Sequence, residues 1–294
     1  MTEHEVTMCE LLGMVASQPA DVVFSFTGLA LRGGQTGPHA DGWGLALYDG
    51  MFARLFLEEH PAYSSPLARF LRENPILAQL AVAHVRKMTR GTAAIENTHP
   101  FVRVVNGRHI VFAHNGTLPH VRERPLRHES TLGNTDSEHA FCVILEELRE
   151  RFGPVYPDEP QRLGDMLFEV GNALGQDGVF NFLYADGRHL FARCGDSLYA
   201  TVRRAPFREV TLVDAEVSMN FGETANGGHG DLRMAAVATT PLTRNETWIK
   251  GTPGTLWQFT DGDLVQTWQP AEGYAEANPK IVPDTSTDGI PINA

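Results

Sequence analysis

Residues 179–203, VFNFLYADGRHLFARCGDSLYATVR, carry the strongest signal for the class of fold. Three apolar runs, at 179–184, 189–193 and 198–203, are rich in the aromatic and β-branched side chains that favour strands. An Asp-Gly pair follows the first run and a Gly-Asp pair follows the second. Such short turns join neighbouring antiparallel strands. We therefore predict three successive strands in this segment.

The strand pattern continues on both sides of this segment. Further strands are predicted at 81–85, 110–113, 210–217, 234–238, 256–259 and 264–268. An Asp-Gly pair joins the last two as a hairpin. Because most of the predicted strands in the second half follow one another without a helix between them, we predict an α+β domain with layered antiparallel sheets and not a βαβ alternation.

Two helices are predicted near the middle of the chain. Residues Ser137–Phe152 place apolar side chains on one face at helical spacing. Asp136 or Ser137 is positioned to cap the N terminus of this helix, and Gly153-Pro154 ends it. The second helix is predicted over Leu163–Leu174.

Composition and charge narrow the class of function. The chain has 294 residues, of which 42% are hydrophobic and 20% charged, as in globular proteins. Its formal net charge of -12 predicts no affinity for nucleic acid or anionic membranes, since both attract positive charge. The sequence has no membrane-spanning apolar run, no signal-peptide pattern, and only three cysteines. These features predict a cytoplasmic protein with reduced thiols.

Cys9 differs from the other two cysteines because Met8 precedes it. If translation starts at Met8 and that residue is removed, Cys9 has a free α-amine. Ordinary pKa values of about 7.7–8.0 for an α-amine and about 8.5 for a thiol suit proton transfer at neutral pH, so such a cysteine carries its own base. Cys142, in a predicted helix, and Cys194, at a strand end, are interpreted as structural.

Three polar clusters offer groups that complement a nucleophile. Arg86 ends a predicted strand and could grip a carboxylate by two parallel hydrogen bonds, or form a surface ion pair. Asn115 and Gly116 could supply side-chain and backbone N–H groups to an oxyanion hole, or form a hairpin turn. Asp136 could receive a substrate ammonium, or cap the helix. With Cys9, these groups make one constellation: nucleophile, carboxylate clamp, oxyanion hole and ammonium acceptor.

Metal and phosphate sites are not predicted. His84, His99 and His114 lack the carboxylate spacing of a motif such as HExxH, so packing at strand ends is the favoured interpretation. The glycines at 33–37 lack the Gly-Lys-Ser/Thr ending of a phosphate-binding loop.

Five short motifs follow one another along the chain: Met8-Cys9, His84-Val85-Arg86, Thr98-His99-Pro100-Phe101, Ala113-His114-Asn115-Gly116 and Thr135-Asp136-Ser137-Glu138. In this combination the sequence resembles the class II glutamine amidotransferases, which are N-terminal-nucleophile enzymes, and among them the stand-alone YafJ-type subfamily. Further stretches that resemble this subfamily are Asp41-Gly42-Trp43-Gly44, Gly178-Val179-Phe180-Asn181 and Thr239-Thr240-Pro241-Leu242-Thr243.

The resemblance implies a fold, a reaction and a role for each site residue. The fold would be a four-layer αββα sandwich of two antiparallel sheets, the N-terminal nucleophile hydrolase fold. Cys9 would be the nucleophile and its α-amine the base. Arg86 would hold the α-carboxylate of glutamine, Asp136 its α-ammonium, and Asn115 with Gly116 the oxyanion. The reaction, hydrolysis of the glutamine side-chain amide to glutamate and ammonia, would need no metal or cofactor.

Two further expectations concern the surroundings of Cys9. Thr89, three residues after Arg86, is a candidate substrate-binding residue. Residues 41–44 are expected to line the pocket near Cys9.

The predicted organisation has three parts. Residues 1–8 form a prefix, residues 9–270 a single amidotransferase domain, and residues 271–294 a loose polar tail. The α-amine of Cys9 is free only without the prefix. Either Met8 is the true start or the prefix is a propeptide that is cleaved; otherwise the protein is an inactive relative.

The ammonia acceptor is left open, because nothing after residue 152 resembles an ATP or phosphosugar site. A separate synthase partner is one possibility and simple hydrolysis another. The enzymatic alternative is a γ-glutamyl amide hydrolase of the ergothioneine-pathway kind. The basic loop 119–132 could hold such a larger substrate, although a solvated loop is the favoured interpretation. The alternative without catalysis is a glutamine-binding or partner-binding module.

Overall fold

A computed structural model describes residues 9–88, 93–220 and 232–274. The helices are α1 (Val23–Arg32), α2 (Pro66–Glu73), α3 (Asp136–Phe152) and α4 (Pro160–Gly175). The strands are β1 (Glu10–Asp21), β2 (Trp43–Asp49), β3 (Phe52–Glu58), β4 (Leu77–Val85), β5 (Phe101–Val105), β6 (Arg108–Thr117), β7 (Val179–Ala185), β8 (His189–Arg193), β9 (Tyr199–Arg204), β10 (Glu209–Thr211), β11 (Ser218–Asn220), β12 (Arg233–Ala238), β13 (Ile249–Lys250), β14 (Leu256–Thr260) and β15 (Asp263–Trp268).

Two antiparallel sheets carry most of these strands. The first has seven strands in the order β13-β9-β12-β1-β4-β2-β3, and the second has six in the order β15-β14-β8-β7-β6-β5. Strands β10 and β11 pair separately as a short ribbon. The antiparallel pairing throughout confirms the predicted class of fold.

Three clusters of buried apolar side chains hold the protein together in four layers. One cluster joins α1 and α2 to the seven-stranded sheet and includes Leu12 and Phe26. A second joins α3 and α4 to the six-stranded sheet, where the rings of Phe112 and Phe141 stack with centroids 4.9 Å apart. The third lies between the sheets and includes Leu11, since successive strand residues face opposite sides. Each large side chain buried in this way contributes roughly 1.5–3 kcal/mol. The order of layers confirms the αββα sandwich.

The turn at 195–196 differs from its prediction. The preceding Asp-Gly turn joins β7 to β8 as a hairpin, but after β8 the chain crosses to the other sheet, where β9 pairs with β12. The Asn181 side-chain oxygen fixes this crossing by accepting hydrogen bonds from the backbone N–H groups of Gly195, Asp196 and Ser197 at 2.7, 3.2 and 3.3 Å. A turn signal in the sequence marks a change of direction but not the sheet that receives the next strand.

The predicted strand at 210–217 is wrong, whereas the last hairpin is confirmed. Strands β10 and β11 lie at the two ends of this segment and pair with each other, as in the contact of Val210 with Met219. The segment has no Asn-Gly or Asp-Gly pair to mark its reversal. In the hairpin of β14 and β15, Asp261 and Gly262 both have positive φ, 50° and 79°, as a type I′ turn requires.

Helix α3 begins one residue before its predicted start and has a different cap. The Thr135 hydroxyl accepts a hydrogen bond from the Glu138 backbone N–H at 3.1 Å, so Thr135 is the N-cap, and not Asp136 or Ser137. The Asp136 carboxylate is therefore not required as the cap.

With 17 residues α3 is the longest of the described helices, and none of them has the length and apolar character to span a membrane.

Candidate active site

Most of the predicted site residues line one cavity of about 590 Å³. Cys9, Arg86, Gly116 and Asp136 form part of its wall. Asn115, the residue before Gly116 in β6, is buried with 1% of its surface exposed and is not among the lining residues. Thr89 lies outside the described residues. The fold thus brings residues from four separate parts of the chain to the same place.

Strand register explains why Cys9 and Arg86 meet. In the antiparallel ladder of β1 and β4, Glu10 pairs with Val85. Cys9 stands one residue before β1 and Arg86 one residue after β4, so the two residues are adjacent at the same end of the ladder. The pairing of two strands, and not a long loop, therefore places Cys9 next to Arg86.

The Cys9 thiol is held by the backbone of Lys87. Its Sγ donates to the Lys87 carbonyl at 3.4 Å and accepts from the Lys87 N–H at 3.3 Å. Burial raises the pKa of Cys9 to about 11, although the Lys87 backbone and the Arg86 charge act in the opposite direction. A thiol with this pKa is protonated at neutral pH, so a reaction at Cys9 needs a base.

The Arg86 side chain is buried, with 6% exposed, yet its Nη1 has no hydrogen-bond partner within the described part of the chain. Its backbone N–H donates to the Gly42 carbonyl at 2.8 Å, and its carbonyl accepts from the Asp41 N–H at 3.1 Å. A buried cationic N–H without a partner is unfavourable unless a ligand supplies an acceptor. The guanidinium is thus well placed to bind a carboxylate.

Residues 41–44 do not line the cavity, contrary to the prediction. The Asp41 carboxylate accepts from the Met88 backbone N–H at 2.8 Å, which supports the segment that follows Arg86. Trp43 is fully buried in the cluster beneath α1. Gly44 packs against the His99 backbone, where a Cβ would collide with the carbonyl. The segment supports the site and does not form its surface.

Asp136 is the first residue of α3, where the helix dipole favours a negative charge. Its Oδ2 accepts from the Leu118 backbone N–H at 2.8 Å, and its Oδ1 accepts from the Ser137 N–H at 2.9 Å. The Ser137 hydroxyl also donates to Oδ1 at 3.4 Å, so the remaining acceptor capacity lies mainly on Oδ2. These bonds hold the carboxylate in the cavity wall, where it can receive a cationic group.

Asn115 and Gly116 lie within β6 and pair with β7, so the Asn-Gly pair is not a hairpin turn. Gly116 has a φ of 146°, a conformation that favours glycine, and a Cβ there would collide with the Val179 carbonyl. The Asn115 side-chain nitrogen donates to the Thr239 hydroxyl at 3.3 Å. Among the residues described, the Asn115 side-chain oxygen is buried without a partner.

Three buried histidines pack around this end of the sheets. The rings of His84 and His99 lie 4.3 Å apart, and burial lowers the pKa of both well below the usual value, so both are neutral. Burial also lowers the pKa of His114, against the effect of the Asp136 carboxylate. The His114 Nδ1 lies 2.8 Å from the Ser137 hydroxyl. No group of three or more His, Cys, Asp or Glu residues in the described ranges is placed to hold a metal ion.

Part of the cavity wall was missed by sequence reasoning. Lys87, Met88, Arg122 and Asn134 also line it. The first two follow Arg86 directly, and Asn134 stands two residues before Asp136, so nearness to predicted site residues was their only signal. Arg122 belongs to the basic loop 119–132, for which the sequence favours a solvated loop over a role in holding a larger substrate, yet Arg122 lines the cavity.

Comparison with known proteins shows the family to which the chain belongs. Residues 8–281 match the family model described as glutamine amidotransferases class-II. The chain is 43% identical over 258 residues to YafJ of Escherichia coli strain K12, which covers 88% of this chain and 100% of YafJ.

Two solved structures are similar to this chain, one in sequence and fold and the other in fold alone. A crystal structure of a predicted glutamine amidotransferase from Pseudomonas aeruginosa PA01 aligns with a TM-score of 0.69 at 37% identity, over 88% of this chain and 100% of that one. The glutamine phosphoribosylpyrophosphate amidotransferase of Bacillus subtilis aligns with a TM-score of 0.57 at 17% identity, over 89% of this chain and 49% of that one, which shows a shared fold alone. The chain therefore belongs to the class II glutamine amidotransferase family.

Proposed function

We propose that this protein hydrolyses the side-chain amide of glutamine to glutamate and ammonia through a γ-glutamyl thioester on Cys9. The observation that carries the proposal is the shared cavity of Cys9, Arg86, Gly116 and Asp136. A nucleophile, a buried cation, a strand glycine and a carboxylate together match the groups of a free amino acid with a reactive side-chain amide.

Substrate recognition rests on opposite charges at the α-carbon of glutamine. Arg86 binds the α-carboxylate through two N–H groups, one of which has no partner within the described residues. Asp136 binds the α-ammonium. Because both charges must be present, this pair selects the free amino acid over a glutamine residue in a peptide.

The first chemical step is attack by the Cys9 sulfur on the γ-carbonyl carbon. Because burial raises the pKa of Cys9 to about 11, the thiol is protonated at neutral pH and a base is needed. The α-amine of Cys9 is that base and takes the thiol proton. This step requires a mature protein in which residues 1–8 no longer precede Cys9.

The tetrahedral oxyanion is stabilised by the Asn115 side chain and the Gly116 backbone N–H. The α-ammonium returns its proton to the departing nitrogen, ammonia leaves, and a γ-glutamyl thioester forms. Water then attacks the thioester, releases glutamate and restores the thiol. We propose that the ammonia is either released to solvent or passed to the substrate of a separate synthase partner. The three described cysteines form no disulfide, and we propose the cytoplasm as the location.

A γ-glutamyl amide hydrolase is a second candidate, favoured by the size of the cavity. At about 590 Å³ the cavity is in the range used by drug-sized ligands, whereas glutamine has only about 10 non-hydrogen atoms. A substituent on the amide nitrogen would use the remaining volume of the cavity, whose lining includes Met88 and Arg122. The same thioester mechanism would release an amine in place of ammonia.

The test is the intact mass of the natively expressed protein, followed by glutamine turnover on the same sample. A mass that begins at Cys9, together with release of glutamate and ammonia, supports the proposal. Cys9→Ala abolishes turnover, whereas Cys142→Ala, which alters a buried cysteine in α3, preserves it. A mature Cys9 that hydrolyses only γ-glutamyl amides favours the second candidate. An uncleaved prefix without any turnover favours a binding module.

A further inference from the structure

Two stretches that the proposed chemistry does not use, residues 178–181 and 239–243, each supply a side chain that contacts Asn115. The Asn115 side-chain nitrogen donates to the Thr239 hydroxyl at 3.3 Å, and the Asn181 side-chain nitrogen donates to the Asn115 carbonyl at 3.2 Å. We propose that Thr239 and Asn181 are positioning residues that hold Asn115 for oxyanion stabilisation, Thr239 at its carboxamide and Asn181 at its backbone carbonyl. This inference rests on the proposed function.

Thr239 connects the strand of the nucleophile to the strand of the oxyanion hole. Its hydroxyl accepts from the Leu11 backbone N–H at 3.0 Å, and its own N–H donates to the Leu11 carbonyl at 3.3 Å. Leu11 lies in β1 of the seven-stranded sheet, two residues after Cys9, whereas Asn115 lies in β6 of the six-stranded sheet. One hydroxyl therefore ties the two sheets together at the point where nucleophile and oxyanion donor must be held at a set distance.

The bond to Thr239 also fixes the direction of the other Asn115 N–H. A carboxamide is planar and its nitrogen carries two hydrogens, so anchoring one of them orients the second. In the described parts of the chain, the Asn115 side chain has only this one hydrogen bond. The second N–H remains for the oxyanion.

Asn181 and Ser197 close the network on the opposite side. The Asn181 side-chain oxygen accepts from the Ser197 backbone N–H at 3.3 Å, and the Ser197 hydroxyl donates to the Thr239 carbonyl at 3.2 Å. Together with Asn115, these residues form a closed ring of hydrogen bonds across the two sheets. The ring passes through the chain crossing at 194–198, so the crossing that differs from its prediction also holds the oxyanion donor. A closed network restricts motion more than its separate bonds do.

The expected signature is a loss in kcat at nearly constant KM. An oxyanion donor acts on the tetrahedral state and not on bound glutamine, so misplacing it slows the chemical step without weakening substrate binding. Removing such a donor costs about 10²- to 10³-fold in kcat, and we expect Thr239→Val, which only loosens it, to cost about 10- to 100-fold. Thr239→Ser keeps the hydroxyl and recovers most of the rate.

The experiment compares Thr239→Val and Thr239→Ser with Thr255→Val in the natively expressed protein. Thr255 is a matched control, because its hydroxyl bonds to Gln269 at 3.0 Å and it does not line the cavity. Besides kcat and KM for glutamine, the affinity for two ligands is measured. The γ-aldehyde analogue of glutamine forms a tetrahedral adduct when the Cys9 thiol adds to its carbonyl, and glutamate forms none.

Three results support the inference: Thr239→Val lowers kcat and aldehyde affinity in parallel, glutamate affinity stays constant, and Thr239→Ser and Thr255→Val behave like the wild type. Equal losses in the affinities for aldehyde and glutamate, or no loss in kcat, overturn it. If Thr239→Val does not fold, Ser197→Ala breaks the same ring and must lower kcat by a smaller factor without changing KM. A wild-type protein without glutamine turnover overturns the proposed function, and the inference with it.

Discussion

Glu10 and Val85 are direct partners in the ladder of β1 and β4. Their pairing sets Cys9 and Arg86 side by side, because each is the next residue beyond the paired positions. A shift of one residue in this register would turn the side chains of β1 to the opposite faces of the sheet. Since both faces of this sheet are buried, the core enforces the register and the register places the nucleophile next to the cation.

Arg86→Lys is expected to weaken glutamine binding. Lysine keeps the charge but loses the planar fork that bonds a carboxylate at two points. A hydrogen bond to a charged group is worth about 1.5–3 kcal/mol, so kcat/KM should fall about 10- to 100-fold, mainly through KM. Steady-state kinetics measure this change. Arg54→Lys is the control, because Arg54 forms an exposed ion pair with Asp49 and does not line the cavity. An unchanged KM in Arg86→Lys would contradict the assigned role.

Asp136→Asn is expected to reduce the preference of the protein for substrates that carry an α-ammonium group. Asparagine retains a hydrogen-bond acceptor near Leu118 but carries no charge. The wild type should prefer glutamine to the analogue that lacks the α-amine. In the variant, the ratio of kcat/KM for glutamine to kcat/KM for this analogue should fall by about 10-fold or more. The ratio of kcat/KM for the two substrates is the measurement. If Asp136→Asn keeps the wild-type ratio, another group binds the ammonium.

Gly116→Ala is expected to destabilise the protein more than Gly107→Ala. Both glycines have positive φ, 146° and 76°, so alanine is strained at either position. Only at Gly116 does a Cβ collide with backbone, the Val179 carbonyl, whereas nothing lies within 4 Å at Gly107. We expect a loss of about 1 kcal/mol in the free energy of unfolding at Gly107 and a clearly larger loss at Gly116. Urea denaturation of both variants provides the comparison, and equal losses would show that β6 yields locally.

Alkylation of Cys9 should have an unusual pH dependence in the protein that retains its prefix. Burial raises the pKa of the thiol to about 11, so the thiolate fraction keeps rising with pH far beyond the usual thiol range near 8.5. The rate with iodoacetamide, followed at the Cys9 peptide by mass spectrometry, should therefore still be rising at pH 10. A plateau below pH 9 would mean that the surroundings of the thiol favour the thiolate.

The site could be predicted from sequence to the extent that its residues stand in short local motifs. Cys9, Arg86, Gly116 and Asp136 were each identified from their immediate neighbours, and the structure brings all four to one cavity. Their roles in catalysis stay predictions. The cap of α3 was assigned to the wrong residue, because Thr135, Asp136 and Ser137 all have side chains suited to capping and only the hydrogen bonds distinguish them.

Residues that act across the sheets gave no such local signal. Thr239 and Asn181 lie in stretches that resemble the family, but nothing in those stretches indicates a contact with Asn115. Their connection to Asn115 spans 124 and 66 residues of chain. Likewise, the pair at 195–196 indicated a turn, but the choice between a hairpin and a crossing depends on which sheet has a free strand edge.

The sequence by itself determined the alternation that buries both sheets, the antiparallel class of fold, the hairpin at Asp261-Gly262 and the chemical types gathered in the motifs. These features depend on side-chain periodicity and on local backbone preference, which act over a few residues. Tertiary structure alone decided that β9 joins the seven-stranded sheet, that Asp136 bonds to Leu118, and that Thr239 bonds to Asn115. Contacts of this kind arise when the two sheets pack face to face, since only packing fixes the distance between residues far apart in the chain.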